Sequence, residues 1–236
     1  MPELRGIEVP QLMRIKLPEA ETAALSRIQR NLDDLARHAR TFTAAAEMLS
    51  FARQRAEAHE VKFDRDNSAL GQERRNLLSE WQMIAVREGA MTLFHVAAAM
   101  SEIAHALQGC PTMSASIDQA RMDQAGQKFR QSFPGFKPLG GATDQPPAPP
   151  PPQPRSISFS QAYTADHVRI HAEKNNVFQI GDSRKYIGRA PGSDDPLSYA
   201  LDSASVYELR GIVTTYLAVF SEVASQIAPK WPSEVG

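Results

Sequence analysis

Four side chains able to bind a metal or move protons recur on one stretch at helical spacing: Glu88, His95, Glu102 and His105. Their offsets keep all four near one stripe of a helix. Glu102-Ile-Ala-His105 is a Glu-x-x-His pair, the element with which di-iron helical bundles ligate metal. Such a centre needs a second Glu-x-x-His and further carboxylates on facing helices. This chain has no second copy of the pair, so a homodimer would have to supply the other half-site. The same four residues also read as polar positions at the seam of a helix pair, where hydrogen bonds across the seam set register.

Other groupings are sparser. Arg53 and His59 have five residues between them, a spacing that lets an arginine steady phosphate charge while a histidine does acid–base chemistry; as solvated residues on a charged helix face they do neither. His167 and His171 share one face of a strand, but two histidines without a third ligand do not define a metal site. Between 155 and 189, basic Arg155, Arg169, Lys174, Arg184, Lys185 and Arg189 outnumber acidic Asp166, Glu173 and Asp182, and Phe159, Tyr163, Phe178 and Tyr186 interleave. Cations beside aromatics on short strands suit phosphate contact with base stacking, which makes Arg169, His171, Lys174, Arg184, Lys185 and Arg189 the nucleic-acid candidates. The alternative is an ordinary aromatic strand core. The sole cysteine, Cys110, excludes an internal disulfide and a Cys-rich zinc site, and no sequence neighbour activates it. The chain contains no phosphate-binding glycine loop, no His-Glu-x-x-His and no Gly-x-Ser-x-Gly. No cofactor is expected, and the balance leans away from an enzyme.

The elements that position these residues are mostly helices. Residues 1–18 read as an irregular lead-in. From 19 to 65 there is neither Gly nor Pro, and Leu25, Ile28, Leu32, Leu35, Phe42, Ala45, Leu49 and Ala52 recur at three- and four-residue spacing, predicting a long amphipathic helix with a kink or break. After a turn at 64–71, a second helix is expected over 72–108. Leu78, Trp81, Ala85, Thr92, Val96, Ala99 and Ile103 line one stripe of it; Leu77, Ile84, Met91, Phe94 and Ala98 line the next. A face that wide predicts burial on more than one side. Gly109 and Pro111 stop it. A third helix over 115–132, capped by Ser114 or Ser116, ends at Phe133-Pro134-Gly135.

A Gly/Pro-rich linker follows at 140–154. Seven of the ten residues from 145 to 154 are proline, so this run cannot be helix or central strand and reads as a polyproline spacer, with Pro-x-x-Pro spacings that would also fit an SH3-like groove. Segment 155–202 is read as small and β-rich, with strands near 157–163, 167–171, 176–180, 185–187 and 197–201. A final helix over 204–228, opened by a Ser205/Glu208 capping box, carries an apolar face that needs a partner. That partner is the N-terminal helix pair, so 203–236 is placed back on the bundle of 19–139.

With 236 residues, 42% of them apolar, the chain can bury a sizeable core, and a net charge of −1 gives no global field directed at nucleic acid. The N-terminus shows no signal-peptide pattern, and no long uninterrupted apolar run suggests a membrane span; a cytoplasmic protein is the expectation.

The stretch Trp81-Gln-Met-Ile-Ala-Val-Arg-Glu-Gly-Ala-Met-Thr-Leu-Phe-His95, together with Cys110-Pro111 and the Phe133-Pro134 helix end, is similar to uncharacterised bacterial all-helical proteins that look HEPN-like, over about residues 75–139. The Arg53–His59 spacing also matches one that HEPN ribonucleases use. The resemblance implies an RNA-directed helical protein. Those proteins carry an Arg…His element after the Phe-Pro turn, however, and here Leu139-Gly-Gly-Ala-Thr-Asp-Gln145 holds neither residue, which argues against ribonuclease activity. The reading is therefore a mainly α protein, a long antiparallel helical hairpin with a third helix, that acts as a non-catalytic interaction protein. It self-associates, coiled-coil fashion, or binds a protein partner through apolar helix faces. An RNA-directed HEPN-like protein is the alternative, and a metal-dependent bundle the third.

Overall fold

The computed structural model describes residues 6–12, 15, 17–63, 69–136, 159–164, 167–172, 176–180, 185–189 and 196–227. Side chains are described for 6–12, 15, 17–58, 69–136 and 199–225. The fold is mainly α, as the helical periodicities require. A 3-10 turn at Glu19–Glu21 leads into α1 (Thr22–Phe63), which pairs with α2 (Ala69–Gln108). The expected break in α1 does not occur: 42 residues without Gly or Pro run on as one helix, about 63 Å long at 1.5 Å per residue.

Two ring contacts fix the hairpin register. His38 meets His95 at 5.0 Å and Phe51 meets Trp81 at 6.1 Å. Thirteen residues along α1 thus match fourteen along α2 in the opposite direction, as two nearly straight antiparallel helices demand. The apolar spacing of α1 is the inner face of this pair, with Ile28, Leu32, Leu35 and Phe42 fully buried.

The expected third helix is two. α3 (Pro111–Ser116) starts directly at the Pro that stops α2, because Pro fits the first helical turn. The chain then extends through Ile117, and α4 (Gln119–Ser132) begins anew. Its cap is Asp118, whose carboxylate accepts from the Arg121 amide at 3.0 Å, so neither Ser114 nor Ser116 caps it. The helix ends at Phe133, and Gly135 turns with φ of 89°, a conformation that favours glycine.

The irregular lead-in is not loose: Leu12 and Ile15 are buried, and the Leu12 amide donates to buried Gln29 of α1 at 2.7 Å.

Five strands follow, β1 (Phe159–Thr164), β2 (His167–Ala172), β3 (Asn176–Ile180), β4 (Lys185–Arg189) and β5 (Pro196–Ala200). They form an antiparallel meander in chain order, with Ser160 opposite His171 and Tyr186 opposite Tyr199. The proline run at 145–154 lies outside the described residues.

α5 (Ser203–Ile227) docks on the helical pair through fully buried Leu209 and Phe220. Its capping differs from expectation. Asp202 accepts from the Ser205 amide at 2.9 Å, and Ser205 Oγ accepts from the Asp202 amide at 3.0 Å. The reciprocal box is thus Asp202–Ser205, and Glu208 is free of that duty. It accepts instead from Ser132 Oγ of α4 at 2.8 Å.

Candidate interaction surface

The third layer covers only part of the hairpin. β5 hands over to α5 beside the middle of α2, where the Tyr199 hydroxyl donates to the Val86 carbonyl and a Cβ on Gly89 would stand 3.1 Å from Leu201. From there α5 packs against α1 and α4, with the Tyr216 hydroxyl donating to the Met100 carbonyl of α2 at 3.3 Å and Glu222 pairing with Arg121 of α4. Burial records the boundary. Fourteen residues of α2 from Ala85 to Leu107 are buried, and of those before Ala85 only Gly71 is. On α1 the last buried residue among those described is Ala52. The far half of the hairpin is therefore a two-helix arm.

Large apolar side chains gather on that arm. Leu70, Leu77 and Ile84 of α2 are 58%, 45% and 55% exposed, and Phe51 of α1 is 46% exposed. Phe51 stacks on half-buried Trp81, with the Arg55 guanidinium 5.2 Å from its ring centre. Trp81 lies four residues past Leu77 and three before Ile84, so these side chains share one helix face. The expectation that the Leu77–Ile84 stripe is buried on a second side is corrected here. It holds for Phe94, where Phe136 packs at 4.8 Å, but Leu77 and Ile84 lie on a stripe that stays exposed along α2 through Glu88, His95 and Glu102. Phe51 and Leu70 were not singled out from the sequence, although Leu70 sits seven residues before Leu77.

The chemistry-bearing residues do not converge. Glu88, His95, Glu102 and His105 all lie exposed on α2, and among the described residues no three His, Cys, Asp or Glu side chains are placed to share a metal ion. His95 instead faces His38, which sequence reasoning overlooked because nothing in its neighbourhood marks it. Burial, then the charge of His95 and of Arg37, draws the His38 pKa down to about 4, with Asp34 opposing. Arg53 is half-buried on the arm, and the His59 side chain lies outside the described residues. Arg169, His171, Lys185 and Arg189 fall on β2 and β4, but their side chains, with all of Lys174 and Arg184, also lie outside them.

The other groups with perturbed protonation, Glu21, Cys110 and Tyr216, are internal fastenings. Buried Glu21 accepts from Cys110 Sγ at 3.1 Å, from the Thr112 amide at 3.2 Å and from Thr112 Oγ1 at 2.7 Å. Burial opposes its charge, but the bonds from Thr112 and Cys110 outweigh that and hold its carboxyl below the usual value. Burial and the bond to Glu21 push the Cys110 thiol up to about 11, which suppresses its nucleophilic form. Burial, with the charge of Asp123, also pushes Tyr216 upward. α2 is long and apolar enough to cross a membrane, but 61% of its most apolar window is buried within the fold, as for a core helix.

No family model, curated protein or solved structure matches this chain.

Proposed function

We propose that this chain is a non-catalytic interaction protein whose working surface is the apolar face of the hairpin arm. One observation carries the reading: of five large apolar side chains left exposed among the described residues, four (Phe51, Leu70, Leu77 and Ile84) lie on the arm. Contiguous exposed apolar surface on a folded chain marks a contact site, whereas isolated exposed leucines do not. The perturbed groups Glu21, Cys110 and Tyr216 favour binding over catalysis, since they are hydrogen-bonded into the fold rather than gathered in a cleft.

The test compares wild type with the Leu77→Asp/Ile84→Asp double variant. Both are followed by light scattering, and both are immobilised to capture proteins from a lysate. Self-association or a captured protein that the variant loses supports the reading. A wild type that neither self-associates nor retains anything the variant loses overturns it.

A further inference from the structure

We infer that the occupant of the arm is a second copy of this chain, docked antiparallel with its α2 against the first about a two-fold axis at Leu77. The inference rests on the interaction reading above and names the partner.

Spacing comes first. Leu70, Leu77 and Ile84 recur every seven residues, and half-buried Met91 continues the row. A seven-residue repeat is the period at which a helix keeps one seam against another helix. The buried stripe of α2 runs instead through Ala85, Thr92, Val96 and Ile103. The Leu70–Ile84 seam is therefore additional to it. From Leu70 to Ile84 it spans about 21 Å.

Charge then selects the arrangement. Glu73, Arg74, Glu80, Arg87 and Glu88 are all exposed beside the seam. In a parallel, in-register pair Glu73 and Glu80 would each face their own copies. Antiparallel with the axis midway between Leu77 and Ile84, Arg74 meets the partner's Arg87 and Glu73 meets the partner's Glu88. With the axis at Ile84, Glu80 meets the partner's Glu88. With the axis at Leu77, Leu70 meets the partner's Ile84, and Arg74 meets the partner's Glu80, twice by symmetry. Of these arrangements only the last sets opposite charges against each other and, among the described residues, opposes no like pair; an axis midway between Leu70 and Leu77 would pair Glu73 with the partner's Arg74, but it sets Ile84 beyond the start of the partner's α2 at Ala69. Its two-fold symmetry gives the self-complementary contact typical of homodimers.

The test uses the full chain with native Cys110 left in place, since that thiol is buried against Glu21. Under mild oxidation Leu77→Cys should form a covalent dimer. Leu70→Cys and Ile84→Cys should each stay uncrosslinked alone and crosslink when mixed. Arg74→Glu should weaken the dimer about tenfold, and adding Glu80→Arg should restore it. Self-crosslinking of Leu70→Cys would overturn the antiparallel axis. A wild type that sediments as a monomer at every concentration would overturn the dimer. The interaction reading would still stand in that case if a stripe-dependent partner is captured, so the two failures are distinguishable.

Discussion

The ring of Phe51 on α1 stacks on the ring of Trp81 on α2, centroid to centroid 6.1 Å at 29° between planes. This pair closes the hairpin where the third layer no longer covers it. It is half a core contact and half a surface, and the two roles separate in experiment. Phe51→Ala should cost about 1–2 kcal/mol of stability, less than a fully buried aromatic, and should also weaken self-association. Urea unfolding followed by tryptophan fluorescence, with light scattering on the same samples, reads both. Lost stability with unchanged association would place the contact surface away from Phe51.

Gly89 shows how tightly β5 is seated on α2. A Cβ there would lie 3.0 Å from the Tyr199 hydroxyl and 3.1 Å from Leu201, whereas at Gly211 of α5 it would meet nothing within 4 Å. Helix propensity alone favours alanine at both by up to about 1 kcal/mol. Gly211→Ala should therefore raise the melting temperature, and Gly89→Ala should lower it by displacing Tyr199 and Leu201. Equal shifts in differential scanning calorimetry would contradict the close seating of β5.

His38 makes stability depend on pH. Its folded-state pKa of about 4 lies below the usual 6.5, so the unfolded chain takes up a proton that the folded chain resists. The stability concerned is complete above pH 6.5 and is lost as pH falls towards 4. The slope cannot exceed about 1.4 kcal/mol per pH unit, and partial solvent exposure reduces it. Urea midpoints between pH 7 and 4 should fall more steeply in wild type than in His38→Gln. Parallel curves would remove His38 from the account.

Glu21 and Cys110 tie the start of α1 to the α2–α3 junction. Glu21→Ala removes the acceptor for Cys110 Sγ and for both Thr112 donors. The variant should melt lower and its thiol should react faster with a disulfide reagent at pH 8, although wild type and variant should match once unfolded in urea. Identical folded-state rates would show that Glu21 does not restrain the thiol.

Much of the architecture was legible because local chemistry set it. The Gly109 and Pro111 stop, the Gly- and Pro-free run through α1 and the period change after 155 all correspond to elements in the structure. The division of α3 from α4 was not legible, since Asp118 competes as a cap against an otherwise helical pattern and only the geometry shows it winning. The Asp202 cap was missed for a similar reason: Ser205 and Glu208 fit a familiar spacing, but Glu208 is drawn to Ser132 and Lys128 of α4. The arm was the harder case. Leu77 and Phe94 fall on the same apolar pattern, and nothing in that period says which of them a third layer reaches. Leu77 shares its stripe with Ile84, Glu88, His95 and Glu102, all exposed, whereas the covering contacts fall at Gly89 and Phe94, from residues 199–201 and 136 far along the chain.

The most direct measurement is sedimentation velocity of wild type and Leu77→Asp over a wide concentration range, with thermal unfolding recorded alongside. Because Leu77 is 45% exposed, the substitution should leave melting nearly unchanged. Wild type should shift from monomer to dimer as concentration rises, and Leu77→Asp should remain monomeric. Equal dimerisation of the two proteins, or a wild type monomeric throughout, would contradict self-association through the arm.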